Sequence, residues 1–369
     1  MPRTSSRTSV VLAALLALAA AASPALAQRK DDKDKKTEGL TAAQRQETAP
    51  LARLVDDVMK GAAAPGAYLV TVPKDATAKD VPPPQATQAD ATLLWRNDFL
   101  KAQQGAVFVP FSVTAEGGKP SPIAGYLRVA PKGATGLPAG DKPSYAFEDV
   151  YFAELRTPAA GLAPRITRAF AVAPGTYDVY FAYRERPAAN AAADAPVKVT
   201  ALKHELVVPN YHADELQTSS VLVADKIEQL TAPVAPDAMK ERPYVLGDSE
   251  ITPAADLKFK KTEELQLVFQ IYGAKVGADK KPDVSVDYVF FQKDATGEKP
   301  FNRTPTQTLS DKTLPPNFDA EMGHQLMTGQ GVPLQSFPEG EFRLEIKITD
   351  NKAQKSVTRD VLFTVLAAS

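Results

Sequence analysis

Residues 337–365 read FPEGEFRLEIKITDNKAQKSVTRDVLFTV, and this stretch alternates apolar with charged side chains on both sides of a polar turn. Phe342, Leu344, Ile346 and Ile348 fall on one face, and Arg343, Glu345, Lys347 and Thr349 fall on the other. Successive side chains of a strand point to opposite sides, so this phase describes a strand with one dry and one wet face. After Asp350-Asn351 the period returns in Val361, Phe363 and Val365, which makes the whole stretch a β-hairpin.

Such a hairpin closes many immunoglobulin-like sandwiches. A weaker copy lies upstream: Pro174-Gly175-Thr176-Tyr177, with Val179 and Phe181 in phase, parallels Pro338-Glu339-Gly340-Glu341-Phe342 with Leu344 and Ile346. The expected fold is all-β, two tandem antiparallel immunoglobulin-like β-sandwiches preceded by a signal peptide and a short helix with a disordered segment. The first sandwich is placed at 92–209 and the second at 219–369. Short strands without long intervening helices favour this arrangement over an α/β enzyme fold.

The N-terminus carries Arg3 and Arg7, an apolar run over 10–22, and Ser23-Pro24-Ala25-Leu26-Ala27, a small-x-small ending. This is the pattern of a Sec signal peptide cleaved after Ala27, which predicts a periplasmic or secreted chain with no stable membrane insertion after cleavage. The 369-residue chain has a formal net charge of −1, and removing 1–27 removes two basic side chains and no acidic one. No nucleic-acid footprint follows from that balance. With no cysteine, thiol catalysis and Cys-ligated metals are excluded, and two cores of ordinary domain size must supply the stability. The three histidines, His204, His212 and His324, leave little for a His-rich metal site, and no cofactor is predicted.

Between the signal and the first sandwich, residues 28–91 read as a charged tail, a short helix and a Pro-rich linker. The mixed-sign run at 29–36 has no apolar residue and reads as a solvated tail. Thr41 caps a helix with Leu51, Leu54, Val55 and Met59 at helical spacing; Pro50 marks an early boundary or its first turn, and Gly61 is the stop. Residues 73–91, with Pro82-Pro83-Pro84, read as a semi-rigid linker. Asn97 is expected to cap a helical turn closed by Gly105. Val107, Val109, Phe111 and Val113 then share one face of a strand. In the second sandwich Leu265, Leu267, Phe269 and Ile271 are in phase, as are Val284, Val286, Tyr288 and Phe290, while 302–331 reads as a long loop.

The phrases TLLWRNDFLKAQQG (92–105), SYAFEDVYFAEL (144–155), SSVLVADKIEQL (219–230), ERPYVLG (241–247), LVFQIYG (267–273) and the terminal hairpin resemble a family of secreted acidobacterial proteins of uncharacterised function. Their last module is similar to immunoglobulin-like segments that accompany GWxTD-type and von Willebrand factor A-like proteins. These are fold motifs, and the resemblance carries no active site across.

Several side chains invite chemistry. Tyr177 sits where sandwiches place a tyrosine corner. Trp95, with Phe99 four residues on, is either core or a sugar platform, and His204 is in phase with Leu202, Leu206 and Val208. Glu148 with Asp149, Glu154, Asp283 with Asp287, and Asp350 are the carboxylates available to a glycosidase pair. Asp279, Asp283, Asp350 and Asn351 are the oxygens available to calcium. No Gly-x-Ser-x-Gly elbow, P-loop or dinucleotide glycine pattern occurs. The densest mixture of aromatic, titratable and acidic groups beside a boundary is Tyr211, His212, Asp214 and Glu215, an expected interdomain contact. The function expected is that of a non-catalytic envelope or extracellular protein contacting a protein or cell-surface polymer. A carbohydrate-binding accessory module is the alternative, with a hydrolase behind it.

Overall fold

The computed structural model describes residues 40–61, 63–86, 93–134, 145–158, 161–188, 190–235, 238–320 and 322–367. The expected signal peptide, the charged tail, and parts of the expected linker and of the 131–143 loop lie outside them. The chain divides into two compact units. One runs to His212 and includes Val234–Pro243; the other holds Ala213–Pro233 and the chain from Tyr244 onward.

The first unit opens with helix α1 (Ala42–Lys60). Its strands are β1 (Gly66–Pro73), β2 (Gln85–Ala86), β3 (Leu93–Asn97), β4 (Leu100–Lys101), β5 (Val107–Ala115), β6 (Ser121–Pro131), β7 (Phe147–Leu155), β8 (Arg165–Val172), β9 (Gly175–Glu185) and β10 (Pro196–Val208). They form a sheet of order β2-β1-β10-β9-β6-β7 and a smaller one, β3-β5-β4, in which β8 also pairs with β5. The second unit holds β11 (Gln217–Thr218), β12 (Leu222–Gln229), β13 (Val245–Leu246), β14 (Ser249–Pro253), β15 (Lys258–Lys260), β16 (Glu264–Tyr272), β17 (Val284–Asp294), β18 (Gly297–Arg303), β19 (Gln307–Leu309), β20 (Leu326–Pro333), β21 (Gly340–Asp350) and β22 (Lys355–Leu366). Its sheets run β11-β16-β12-β14-β13, with β20 also on β16, and β15-β22-β21-β17-β18, with β19 also on β17.

Both units follow one path. A central strand, β5 or β16, has an earlier strand (β3 or β12) and a later one (β8 or β20) as partners. The opposite sheet carries β7-β6-β9-β10 or, equivalently, β18-β17-β21-β22. The chain thus crosses between sheets in the Greek-key order of immunoglobulin-like sandwiches, and the fold is nearly all-β. The in-phase residues are the inner faces: Val107, Val109, Phe111 and Val113 are buried, as are Leu265, Leu267, Phe269, Ile271, Val284, Val286, Tyr288 and Phe290. In the terminal hairpin Phe342, Leu344, Ile346 and Ile348 of β21 are buried, as are Val361, Phe363 and Val365 of β22, with Phe342 opposite Phe363 and Leu344 opposite Val361.

Three local expectations change. Helix α1, expected ahead of the first sandwich, packs on it, and the chain after the helix, where no strand was expected, forms β1 of its larger sheet. Thr41 caps the helix as expected, in a capping box with Gln44, and Gly61 ends it. Pro50, however, lies well inside α1, and Leu51, Leu54, Val55, Val58 and Met59 pack on Tyr68, Val70 and Val72 of β1 and on Tyr126, Tyr180, Ala182, Val199 and Ala201. β1 pairs with β10 along its full length, because its own burial alternation supplies a face for the helix. The helical turn at Asn97 is instead extended: Asn97 ends β3, and its Oδ1 accepts the Trp95 Nε1 hydrogen at 2.9 Å rather than capping a helix. The segment 302–331, expected to be a loop, holds β19 and most of β20. β20 escapes periodicity analysis because Gly329 lies against β16, where a Cβ would come within 2.5 Å of the Leu267 carbonyl oxygen.

Candidate functional site

Helix α1 covers the outer face of the larger sheet of the first unit, so β6 is buried continuously from Ile123 to Ala130 and β9 from Tyr177 to Ala182. Two arginines lie on that covered face. Near the C-terminal half of the helix, Arg128 Nη1 meets Asp56 Oδ1 at 2.6 Å and its Nη2 meets Glu148 Oε1 at 3.2 Å. The Tyr126 hydroxyl bridges Arg128 and Glu148, and the Tyr145 ring lies 4.1 Å from the guanidinium. Burial pushes the Tyr126 phenol far above its ordinary range. This network ties α1, β6 and β7 together with every guanidinium nitrogen occupied.

Under the first turns of α1 the second arginine is differently placed. Arg184, on β9, is 2 % exposed, and its Nη2 donates to the Lys74 carbonyl oxygen at 2.9 Å. Its Nε and Nη1 are buried and meet no acceptor among the described residues. Burial lowers the Arg184 pKa, against the pull of Glu47 and Asp75. The guanidinium lines a cavity of about 480 Å³ together with Ala43, Gln46, Glu47, Pro122 and Arg186. An arginine near the end of a strand, two residues before Arg186, gives no sequence signal of burial, because that burial is imposed by a helix more than a hundred residues away in the chain.

The expected junction residues separate. Tyr211 is buried; His212 is exposed, and its Nε2 is 2.9 Å from the Ala106 carbonyl oxygen. Asp214 and Glu215 are exposed. The Glu215 backbone lies against Gly273, where an added Cβ would come within 2.0 Å of the Glu215 carbonyl oxygen. The compact units divide between His212 and Ala213, so these four residues fall two to each.

Trp95 is half-buried and stacked on Phe111, ring centroids 4.6 Å apart, with the His204 imidazole at 5.6 Å. Two neighbouring rings occupy the indole that a sugar platform would need to present. His204 is half-buried, and burial lowers its pKa while Glu205 raises it. His324 Nδ1 accepts the Asp319 amide at 3.1 Å, a turn contact.

Most of the carboxylates considered for catalysis or calcium are engaged locally; Glu154 stands exposed. Asp350 is fully buried; its Oδ2 accepts the Lys275 amide at 2.7 Å and its Oδ1 the amides of Lys352 at 2.9 Å and Ala353 at 3.0 Å. Asn351 Nδ2 donates to Asp283 Oδ1 at 2.9 Å and to Ser285 Oγ at 2.8 Å. Asp279 faces Lys352 Nζ at 3.5 Å, and Asp287 accepts the Thr306 hydroxyl. Among the described residues no group of three or more His, Asp or Glu side chains is arranged to hold a metal ion, and no helix is long and apolar enough to cross a membrane.

No family model matches the chain, and no curated protein matches it. Among solved structures it is similar to an immunoglobulin-like protein from Pseudomonas aeruginosa, at 11% identity over 40% of this chain and 97% of that one, TM-score 0.19. It is also similar to a Bacteroides uniformis β-glucuronidase, at 10% identity over 70% of this chain and 26% of that one, TM-score 0.21. A third match is E. coli α2-macroglobulin, at 9% identity over 84% of this chain and 19% of that one, TM-score 0.20. The chain thus spans about a quarter and a fifth of the last two proteins. The immunoglobulin-like assignment rests on the order of the chain's own strands.

Proposed function

We propose that the chain is an exported, non-catalytic binding protein of the periplasm or cell exterior, whose two immunoglobulin-like sandwiches present loops and strand edges to a protein or a cell-surface polymer. A fold of this kind hosts many functions, so the reading rests on the disposition of particular groups. The observation that supports it is the engagement of Glu148, Asp283, Asp287 and Asp350: each already accepts hydrogen bonds that hold a helix, turn or strand in place. An acid–base pair needs its carboxylates free to face a substrate across a cleft. The small-residue ending at Ala25-Leu26-Ala27 supports export.

The test is cross-linking of the full exported chain in its native envelope fraction, paired with turnover assays on glycoside, ester and peptide substrates. A discrete cross-linked species that is competed away by excess unlabelled protein, with no turnover, is the expected result. Saturable turnover lost in Glu148→Gln or Asp287→Asn overturns the reading.

A further inference from the structure

In β9 the residues facing α1 are Tyr180, Ala182 and Arg184; the first two join the apolar cluster beneath the helix, and the third ends the row under its first turns. A buried cation is ordinarily paired, since the attraction of an opposite charge must offset its lost hydration. Among the described residues no carboxylate forms an ion pair with Arg184: Glu47 meets the Arg186 Nε at 2.9 Å, the Asp75 side chain stands exposed, and both act on Arg184 only at longer range. The N-terminal end of α1 adds the partial positive charge of its aligned peptide dipoles to the same place. The lining thus holds three cationic residues, Arg184, Arg186 and Lys74, against two acidic ones, Glu47 and Asp75, with Arg186 bound to Glu47 and the Lys74 ammonium to the Ala191 carbonyl oxygen.

We propose that this cavity binds the carboxylate of a small acidic ligand or of a polypeptide C-terminus, with Arg184 as its buried partner and Arg186 and Lys74 beside it. Its volume, about 480 Å³, lies in the range of small-molecule sites, and Ala43, Pro122 and Ala188 supply apolar walls for whatever carries the charge. A single planar negative charge suits a guanidinium. The dianionic form of phosphate is disfavoured by Glu47 and Asp75 in the same lining. This site goes beyond the macromolecular contact proposed above, and either can fail alone.

The test is thermal-shift and calorimetric titration of the full exported chain with an acetylated tripeptide bearing a free C-terminus, the same tripeptide as its amide, propionate, and inorganic phosphate. A saturable response to the free acids, absent for the amide and phosphate, is expected; whether the tripeptide or propionate binds more tightly tells a chain terminus from a small acid. Arg184→Met, which removes a buried charge that forms no ion pair among the described residues, is expected to fold and to bind about tenfold or more weakly, the loss typical of one charged hydrogen bond. Ala188→Phe keeps Arg184 while filling the cavity, is expected to abolish the response, and decides the matter if Arg184→Met does not fold. Absence of any response in the unmutated chain, a response to phosphate alone, or binding that survives Ala188→Phe overturns the proposal.

Discussion

Tyr177 donates its hydroxyl to the carbonyl oxygen of Ala173 at 2.9 Å, locking the Ala-Pro-Gly-Thr-Tyr entry into β9. The same turn occurs at Ala-Pro-Gly-Ala-Tyr, where Tyr68 donates to the Ala64 carbonyl oxygen at 2.6 Å as β1 begins. β1 and β9 are the two neighbours of β10, so the paired turns anchor both strands against it. Tyr177→Phe and Tyr68→Phe are each expected to cost about 1 kcal/mol, the net worth of one such bond, and to add in the double variant because the sites share no partner. Urea denaturation of the two single variants and the double variant checks this; midpoints unchanged in all three would remove the turns from the stability argument.

The terminal hairpin separates its faces energetically. Leu344 is fully buried, and Leu344→Asp is expected to unfold the second unit, since burying a carboxylate without a partner costs several kcal/mol against a total stability of about 5 to 15. Arg343, on the opposite face, is more than a wet-face residue. It meets Asp360 at 2.7 Å, Glu298 at 2.9 Å and Glu345 at 3.0 Å, and its guanidinium lies 4.4 Å from the centre of the Phe291 ring. Arg343→Asp would place a fourth carboxylate among these three, and its expected cost of about 1 to 2 kcal/mol, discounted for partial exposure, should shrink in high salt. Thermal melts of both variants at low and high ionic strength distinguish the two mechanisms.

His204 provides a pH dependence. Burial lowers its pKa below the ordinary 6.5, so below that value the unfolded chain takes up the proton more readily than the folded one. Its stabilising contribution is present in full above 6.5 and is lost as pH falls through the lowered folded value. The chain has one tryptophan, and Trp95 lies against this imidazole, so its fluorescence should titrate with His204. His204→Gln is expected to remove that transition and to flatten the melting temperature between about pH 7 and pH 5. An unchanged fluorescence titration in the variant would assign the transition elsewhere.

Asp350 accepts three backbone amides from two loops. Asp350→Ala leaves all three without that acceptor in a buried place and is expected to cost about 3 kcal/mol or more, whereas Asp287→Ala, which loses its bond to Thr306, should stay within about 1 kcal/mol. Chemical denaturation of the two variants measures the contrast, and equal losses would mean that Asp350 is not the keystone of its turn.

The strands and their phase were legible in the sequence because a half-buried strand writes its environment into every second residue. Leu265 to Ile271, Val284 to Phe290 and Phe342 to Ile348 all point inward as their alternation demands. The helix was equally legible, from Thr41 at its cap to Gly61 at its end, since capping and 3.6-residue spacing are local chemistry. Its destination was not. That α1 lies on the outer face of β6, β9 and β10, and that this contact buries β6 and β9 on both sides, depends on residues far apart in the chain, and no local period records such a pairing. The charged groups followed the same division: nothing in the local sequence sets Arg128 apart from Arg184, and only the docked helix makes one the centre of a satisfied network and leaves the other buried with two nitrogens that meet no acceptor among the described residues. Local physics determined which segments extend or coil, whereas the third layer over the sheet, and with it the candidate site, was decided by which apolar faces could cover one another.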